Sequence, residues 1–282
     1  MTTENDRLDL DLFDLESIEF NSIIVLVGKR RSGKSYLLRN IMYNHRHMPL
    51  GTCISATESA NPFYADFIPK KFIHFRYNPA IVQGALKRQA MLKKKLNKKH
   101  NVELKKIVDS RAFLILDDCI YDKTIKRDQT ISEIFMNGRH VDLMFIITMQ
   151  SPLGISPDAR GNVDYAFIFK ESSLNNRKKI YDNYASCIPS FKLFNRIMDK
   201  CTENYECVVI KSITCTNKLQ DQVFWYKAPP TGNFRVCDKI FWEKQDEEEE
   251  DSSDDEDTTN HEIQMAKTKG DHIKIRKSKK PR

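Results

Sequence analysis

Glycine is scarce in this chain, nine in 282 residues, which excludes a collagen-like repeat with glycine at every third position. Long apolar runs are missing as well. Stretches such as Ile23–Val27 and residues 113–116 fall far short of the ~20 residues a membrane-spanning helix needs. The first nineteen residues alternate acids with Leu and Phe, without the basic start or apolar stretch of a secretory signal. No Cys-x-x-Cys occurs among the seven scattered cysteines. An odd number without an export signal reads as reduced thiols in an intracellular protein, not a disulfide framework or a zinc site. The nearest metal-like spacing, Cys201, Cys207 and Cys215, has no histidine beside it. No internal repeat is visible.

Hydrophobic residues make up 40% and charged residues 30%, enough for a core of useful size. At roughly 100–200 residues per domain, the length fits one large domain or two small ones. The net charge of +7 averages unlike parts. Residues 246–257 hold ten acids and no base, and residues 258–282 hold eight bases and two acids. The remaining 245 residues carry 38 bases and 27 acids, a balance of +11 that suits a polyanionic partner. The apolar pattern stops after Trp242, so the acidic and basic tail is expected to be disordered.

The pattern alternates strands and helices. Ile23–Val27 is a continuous β-branched apolar run, as in a strand buried on both faces. Further strands are expected at residues 52–56, 72–77, 112–116, 143–148 and 165–169. Helices are expected to residue 44 after the glycine-containing turn, from Pro79 to about residue 108, and over 130–137 with Gly138 as the C-cap. Two more fit 175–184 and 191–201. Residues 207–213 and 222–226 read as a hairpin. This is an α/β fold with a mostly parallel central sheet and a C-terminal antiparallel hairpin. The expected organisation is an extension over 1–19, a folded domain over 20–245, and the tail over 246–282.

Gly28, Lys29, Arg30, Arg31, Ser32, Gly33, Lys34 and Ser35 fit the phosphate-loop pattern G-x-x-x-x-G-K-[ST] in full. A buried strand precedes them and a helix follows. In that setting successive backbone N–H groups and the helix's positive end converge on a phosphate. Lys34 is then placed for the β- and γ-phosphates, and Ser35 for Mg2+. A second apolar strand ends in Asp117 and Asp118, at the edge where open parallel sheets bind ligands. Asp117 is the natural carboxylate on the Mg2+ side. Adjacent strand residues point to opposite sides, so Asp118 has a separate task. Hydrolytic relatives of this class usually have a water-orienting Glu there. Asp is one methylene shorter and needs a closer approach. At the end of the 143–148 strand, Gln150 is the first choice for sensing the γ-phosphate and Thr148 the second. Thr216 to Asp221 loosely mimics a guanine-reading Asn-Lys-x-Asp, with the Asp one residue late, and reads as a turn.

These motifs, together with Asn137-Gly138-Arg139-His140 and the late Val223-Phe-Trp-Tyr-Lys-Ala228, resemble the genome-packaging ATPases of nucleocytoplasmic large DNA viruses. These poxvirus-type enzymes belong to the FtsK/HerA branch of three-layer P-loop NTPases. The resemblance spans about residues 20–228. It implies an ATP- and Mg2+-dependent motor that loads double-stranded DNA into a capsid as a homo-oligomeric ring, with capsid or portal components as further partners. Host cytoplasm, in the viral factory, and the virion are the implied locations. The basic end over residues 274–282 adds a nuclear address as an option. By position, residues 28–35 bind the triphosphate, Asp117 the metal, Asp118 acts on water and Gln150 senses. A ring enzyme also needs an arginine from a neighbouring subunit. Arg139 is first choice and Arg160 second.

The stretch after Pro79 carries Lys87, Arg88, Lys93, Lys94, Lys95, Lys98, Lys99, Lys105 and Lys106 against one acid, Glu103. Such a surface contacts phosphates without reading bases. Two alternatives use the same loop: a small-substrate kinase with Arg177-Lys178-Lys179 as its lid, or a slow regulatory ATP-binding switch.

Overall fold

The computed structural model describes residues 8–98, 102–119, 125 and 128–248. The chain divides into two units, 1–238 and 239–282. Of the second, residues 239–248 are described and are helical. Residues 249–282, most of the tail read as disordered, lie outside the described residues, as does Lys99.

In the first unit the described residues form an eight-stranded sheet. Its strands are β1 (Ile23–Val27), β2 (Leu50–Ser55), β3 (Ile73–His74), β4 (Ala112–Asp117), β5 (Leu143–Met149), β6 (Tyr165–Ile168), β7 (Cys207–Lys211) and β8 (Val223–Tyr226). The order is β3-β2-β4-β5-β1-β6-β7-β8. The strands from β3 to β6 pair in parallel, while β7 and β8 are antiparallel. Around the sheet lie α1 (Lys34–Asn44), α2 (Pro79–Leu96), α3 (Val102–Ile107), α4 (Gln129–Asn137), α5 (Pro157–Arg160), α6 (Leu174–Tyr184) and α7 (Phe191–Cys201).

Strand alternation sorts the core into two layers. Ile23, Val25 and Val27 face α2, α4, α6 and α7 through Val82, Ile134, Ile180 and Phe194. Ile24 and Leu26 face α1 through Leu37, Leu38, Ile41 and Met42. The fold is therefore a three-layer α/β sandwich, mostly parallel, with the expected terminal hairpin. The edge at which β1, β4, β5 and β6 end also receives the start of β7 and the end of β8, because Cys207 pairs with Tyr226 and Val208 with Ile168.

Residues 8–18 join this unit. Leu12 bridges Trp225 in parallel, Phe13 N donates to Trp225 O at 2.9 Å, and Trp225 N donates to Asp11 O at 3.1 Å. Phe13 is buried edge-on against Tyr165, Phe167 and Phe224. The outer edge of β8 is thereby covered.

Two local expectations are corrected. The helix from Pro79 does not run to residue 108. It stops at Leu96, with Asn97 as cap, and helix resumes only at Val102. Asn97 competes poorly for helix interior positions, and Lys93, Lys94 and Lys95 complete a last turn that suits the helix dipole. Gly138 does cap the 129–137 helix as expected, in right-handed backbone. Its φ is −54°, the chain continues as a 3-10 turn over Gly138–Val141, and Asp142 makes the left-handed reversal at φ 56°. The strand expected over 72–77 is only two residues long.

Candidate functional site

The carboxyl edge of β1 opens into residues 28–35. Gly28 N donates to Met149 O at 3.0 Å, anchoring the loop to β5. Two glycines are needed for different reasons. A Cβ on Gly28 would lie 2.7 Å from both Phe169 Cβ and Ser32 Oγ. Gly33 has φ 105°, a conformation that side chains rarely adopt, and it starts α1. Lys34 is 8% exposed, and its ammonium donates to Gly28 O at 2.7 Å and Lys29 O at 2.9 Å. Burial holds its pKa below the ordinary lysine value, opposed by the negative charges of Asp118 and Asp117 and reinforced by Arg30. Ser32 Oγ is buried with no hydrogen-bond partner among the described residues. A loop with spare donors, close backbone turns and a buried cation fits a phosphate chain.

Asp117 and Asp118 both lie near Lys34 but are held differently. The Asp117 carboxylate accepts from Thr148 Oγ1 at 2.7 Å and from Ser55 Oγ at 3.2 Å. β4 ends there, and Asp118 turns into the left-handed region at φ 50°. That turn presents its carboxylate to Gln150, whose Nε2 donates to the two oxygens at 2.8 and 2.6 Å. Thr148 Oγ1 also accepts from Asp118 N at 2.9 Å, so one hydroxyl ties the two acids together. Among the described residues no cluster of three His, Cys, Asp or Glu is built to hold a metal. Ser35 and Asp117 suit Mg2+, which takes one or two protein oxygens and completes its shell with phosphate and water.

Several contributors were not singled out from the sequence. Glu171, after β6, pairs with Lys29 at 2.8 Å and accepts from Ser173 N and Asn176 Nδ2. Burial works against its charge, but these partners outweigh it and hold the carboxyl below its ordinary pKa. A cavity of about 620 Å3 opens beside the loop, lined by Arg31, Gly33, Lys34, Ser35, Tyr36, Tyr205, Lys227 and Ala228. A separate cavity of about 560 Å3, under Leu8 and Leu10 and against α7, shares no residue with it.

Arg139 does not reach the loop of its own chain. It precedes β5, pairs with buried Asp164, and donates to Asn162 O at 3.0 Å. Asp164 in turn accepts from Ile23 N, at the amino edge of the sheet. Arg160 donates to Ile155 O at 2.6 Å. The stretch read as a kinase lid lies within α6. Arg177 is buried and bonds Glu171 O and Asp199, and Lys178 pairs with Asp182. The 216–221 segment is the connection between β7 and β8, with a 3-10 turn at Leu219–Asp221. All seven cysteines are free.

Relatives of this chain occur in large DNA viruses. The chain is 43% identical over 223 residues to protein L437 of Acanthamoeba polyphaga mimivirus, covering 79% of this chain and 78% of that protein. It is 37% identical over 224 residues to protein 075L of Invertebrate iridescent virus 6, covering 78% and 81%. In fold it is similar to the genome packaging NTPase B204 of Sulfolobus turreted icosahedral virus 2, solved in complex with AMPPCP. There the TM-score is 0.52 and the identity 17%, over 76% of this chain and 100% of that one. The family model described as Poxvirus A32 protein matches residues 11–221. With three quarters of its length matched, the chain belongs to the poxvirus A32 protein family.

Proposed function

We propose that this chain is an ATP-hydrolysing motor that packages double-stranded viral DNA, acting as a homo-oligomeric ring. The observation that carries the reading is the convergence of Lys34, Asp117, Asp118 and Gln150 at one sheet edge. Membership of the A32 family and a fold shared with a packaging NTPase support it.

Residues 28–35 wrap the triphosphate, and Lys34 offsets its negative charge. Ser35 and Asp117 hold Mg2+, which when bound neutralises charge on the phosphate oxygens. Thr148 and Ser55 keep the Asp117 carboxylate aimed. Asp118 orients the attacking water and accepts its proton, while Gln150 fixes the carboxylate and registers the γ-phosphate. The charge-stabilising arginine comes from a neighbouring subunit, and Arg139 and Arg160 are its candidates.

DNA is the load. Lys87, Lys94 and Lys98 are exposed on and just beyond α2. The lysine-rich end of α2 sits by the amino edge of the sheet, since Lys93 pairs with Asp142 at 2.5 Å and Gln89 bonds Ser110 O. Load and fuel are thus kept at opposite edges. Packaging of a viral genome sets the working location inside the infected host cell, with capsid or portal components as docking partners. The test is phosphate release with and without duplex DNA, alongside the mass of the assembly. DNA-stimulated release that Lys34→Ala abolishes is expected. No release in either condition, with Lys34→Ala indistinguishable from the natural chain, overturns the motor.

A further inference from the structure

We infer that Tyr205 is the platform on which the nucleotide base stacks, and that the pocket reads the face of the base and not its edge. The inference rests on the nucleotide-site reading of residues 28–35 and deepens it.

Four observations lead there. Tyr205 is 70% exposed and lines the cavity beside the loop. Its side chain stands against the loop, with Cβ 3.5 Å and Cδ1 3.7 Å from a Cβ placed on Gly33. Its backbone is strained. Glu206 N donates to Glu203 O at 2.8 Å, closing a four-residue turn whose central residues Asn204 and Tyr205 have φ 51° and 68°. Two positive φ values are the mark of a type I′ turn, which favours Asn-Gly. Asn204 obeys that preference, while Tyr205 occupies the glycine position at a steric cost. Strain kept at a cavity wall points to use. Finally, the cavity chemistry is one-sided. Its charged side chains are Arg31, Lys34 and Lys227, all cations, and its rings are Tyr36 and Tyr205. Among the described residues no carboxylate or carboxamide side chain lines it to read a base edge.

The volume of about 620 Å3 falls within the range of small-molecule sites. With the phosphates on the loop, the base lies toward the hairpin, between Tyr205 before β7 and Lys227 after β8. Stacking on an aromatic ring tolerates any base, because every base has a π-face. The ligand class is therefore a nucleoside triphosphate without selection among bases, for which ATP and GTP serve as probes.

The experiment is calorimetric binding of ATP, GTP and inorganic tripolyphosphate, each with Mg2+, to the full chain and to Tyr205→Gly, with thermal melting of both. The expected result is roughly 5- to 150-fold weaker binding of ATP and GTP alike, the range for loss of one base stack. Tripolyphosphate affinity stays unchanged and the melting temperature rises, because glycine relieves the turn. Tyr205→Phe restores the stack and the affinity. Unchanged ATP binding, a parallel loss for tripolyphosphate, a fall in melting temperature together with affinity, or a preference for ATP over GTP above a hundred-fold each overturns the inference. Lys34→Ala distinguishes the two readings. If it leaves ATP binding intact, the loop reading fails and takes this inference with it. If it abolishes binding while Tyr205→Gly changes nothing, only the stacking platform fails.

Discussion

Replacing Thr148 with valine removes one oxygen and preserves the shape of the side chain. That oxygen makes two bonds in a site with no solvent exposure: it donates to Asp117 Oδ1 at 2.7 Å and accepts from Asp118 N at 2.9 Å. The first bond is to a charged group, worth about 1.5–3 kcal/mol. The second is a neutral amide bond of about 0.5–1.5 kcal/mol, and Asp118 is only half-buried, so water replaces part of it. The added methyl group recovers about 1 kcal/mol by burial. The net destabilisation is about 2–3 kcal/mol, or a 30- to 150-fold shift in the unfolding constant. Urea unfolding of the nucleotide-free protein reads this directly. Thr148→Ser keeps the hydroxyl and is expected to retain most of the stability. Turnover in Thr148→Val is expected to fall further than ATP affinity, because both acids lose their alignment. Stability within about 0.5 kcal/mol of the natural chain, or an equal loss in the Ser variant, would refute the idea that the hydroxyl holds the acids.

Asp118→Asn is expected to retain ATP and stop turnover, measured by nucleotide binding and phosphate release; lost binding instead means the roles of Asp117 and Asp118 are reversed. Glu171→Gln is expected to cost about 1 kcal/mol at neutral pH, kept small by the exposure of Lys29. Because the folded Glu171 carboxyl titrates below its ordinary 4.5, its contribution is present above that pH and is lost as pH falls through the folded value. Denaturation curves of the two proteins should therefore converge on acidification; a gap that widens below pH 4.5 contradicts the assignment. Gly51→Ala puts a Cβ 2.1 Å from Phe113 Cζ inside the core and is expected to cost about 1–3 kcal/mol without changing nucleotide affinity. An unchanged melting temperature would count against that packing.

Much of this was legible in the sequence because the chemistry follows buried strands. Residues 28–35 follow β1, Asp117 and Asp118 close β4, and Gln150 follows β5, so apolar runs pointed directly at the edge that collects them. The rule that ligands sit at the carboxyl ends of parallel strands also explains what was missed. β7 runs the other way, so Tyr205 reaches that edge from before a strand. Lys227 was visible only inside the Val223-to-Ala228 motif, with no sign of what it faces. The Glu171–Lys29 pair joins residues more than a hundred apart, the two hydrogen bonds of the Thr148 hydroxyl reach about thirty residues back, and no spacing reports them. The end of α2 was blurred because a lysine-rich run continues past Asn97.

The pairing of residues 11–13 with β8 has a consequence for biosynthesis. The segment leaves the ribosome well before its partner Trp225, which follows roughly two hundred residues later, long after local helices can form. Phe13 therefore remains without its full burial site until Phe224 of the hairpin is in place. Closing so large a loop is slow, and an apolar segment waiting that long invites off-pathway association. A chain cut short before β8 loses the seal on its sheet as well as the last strand, so nascent fragments of this protein are expected to depend on chaperones to a degree the finished unit does not.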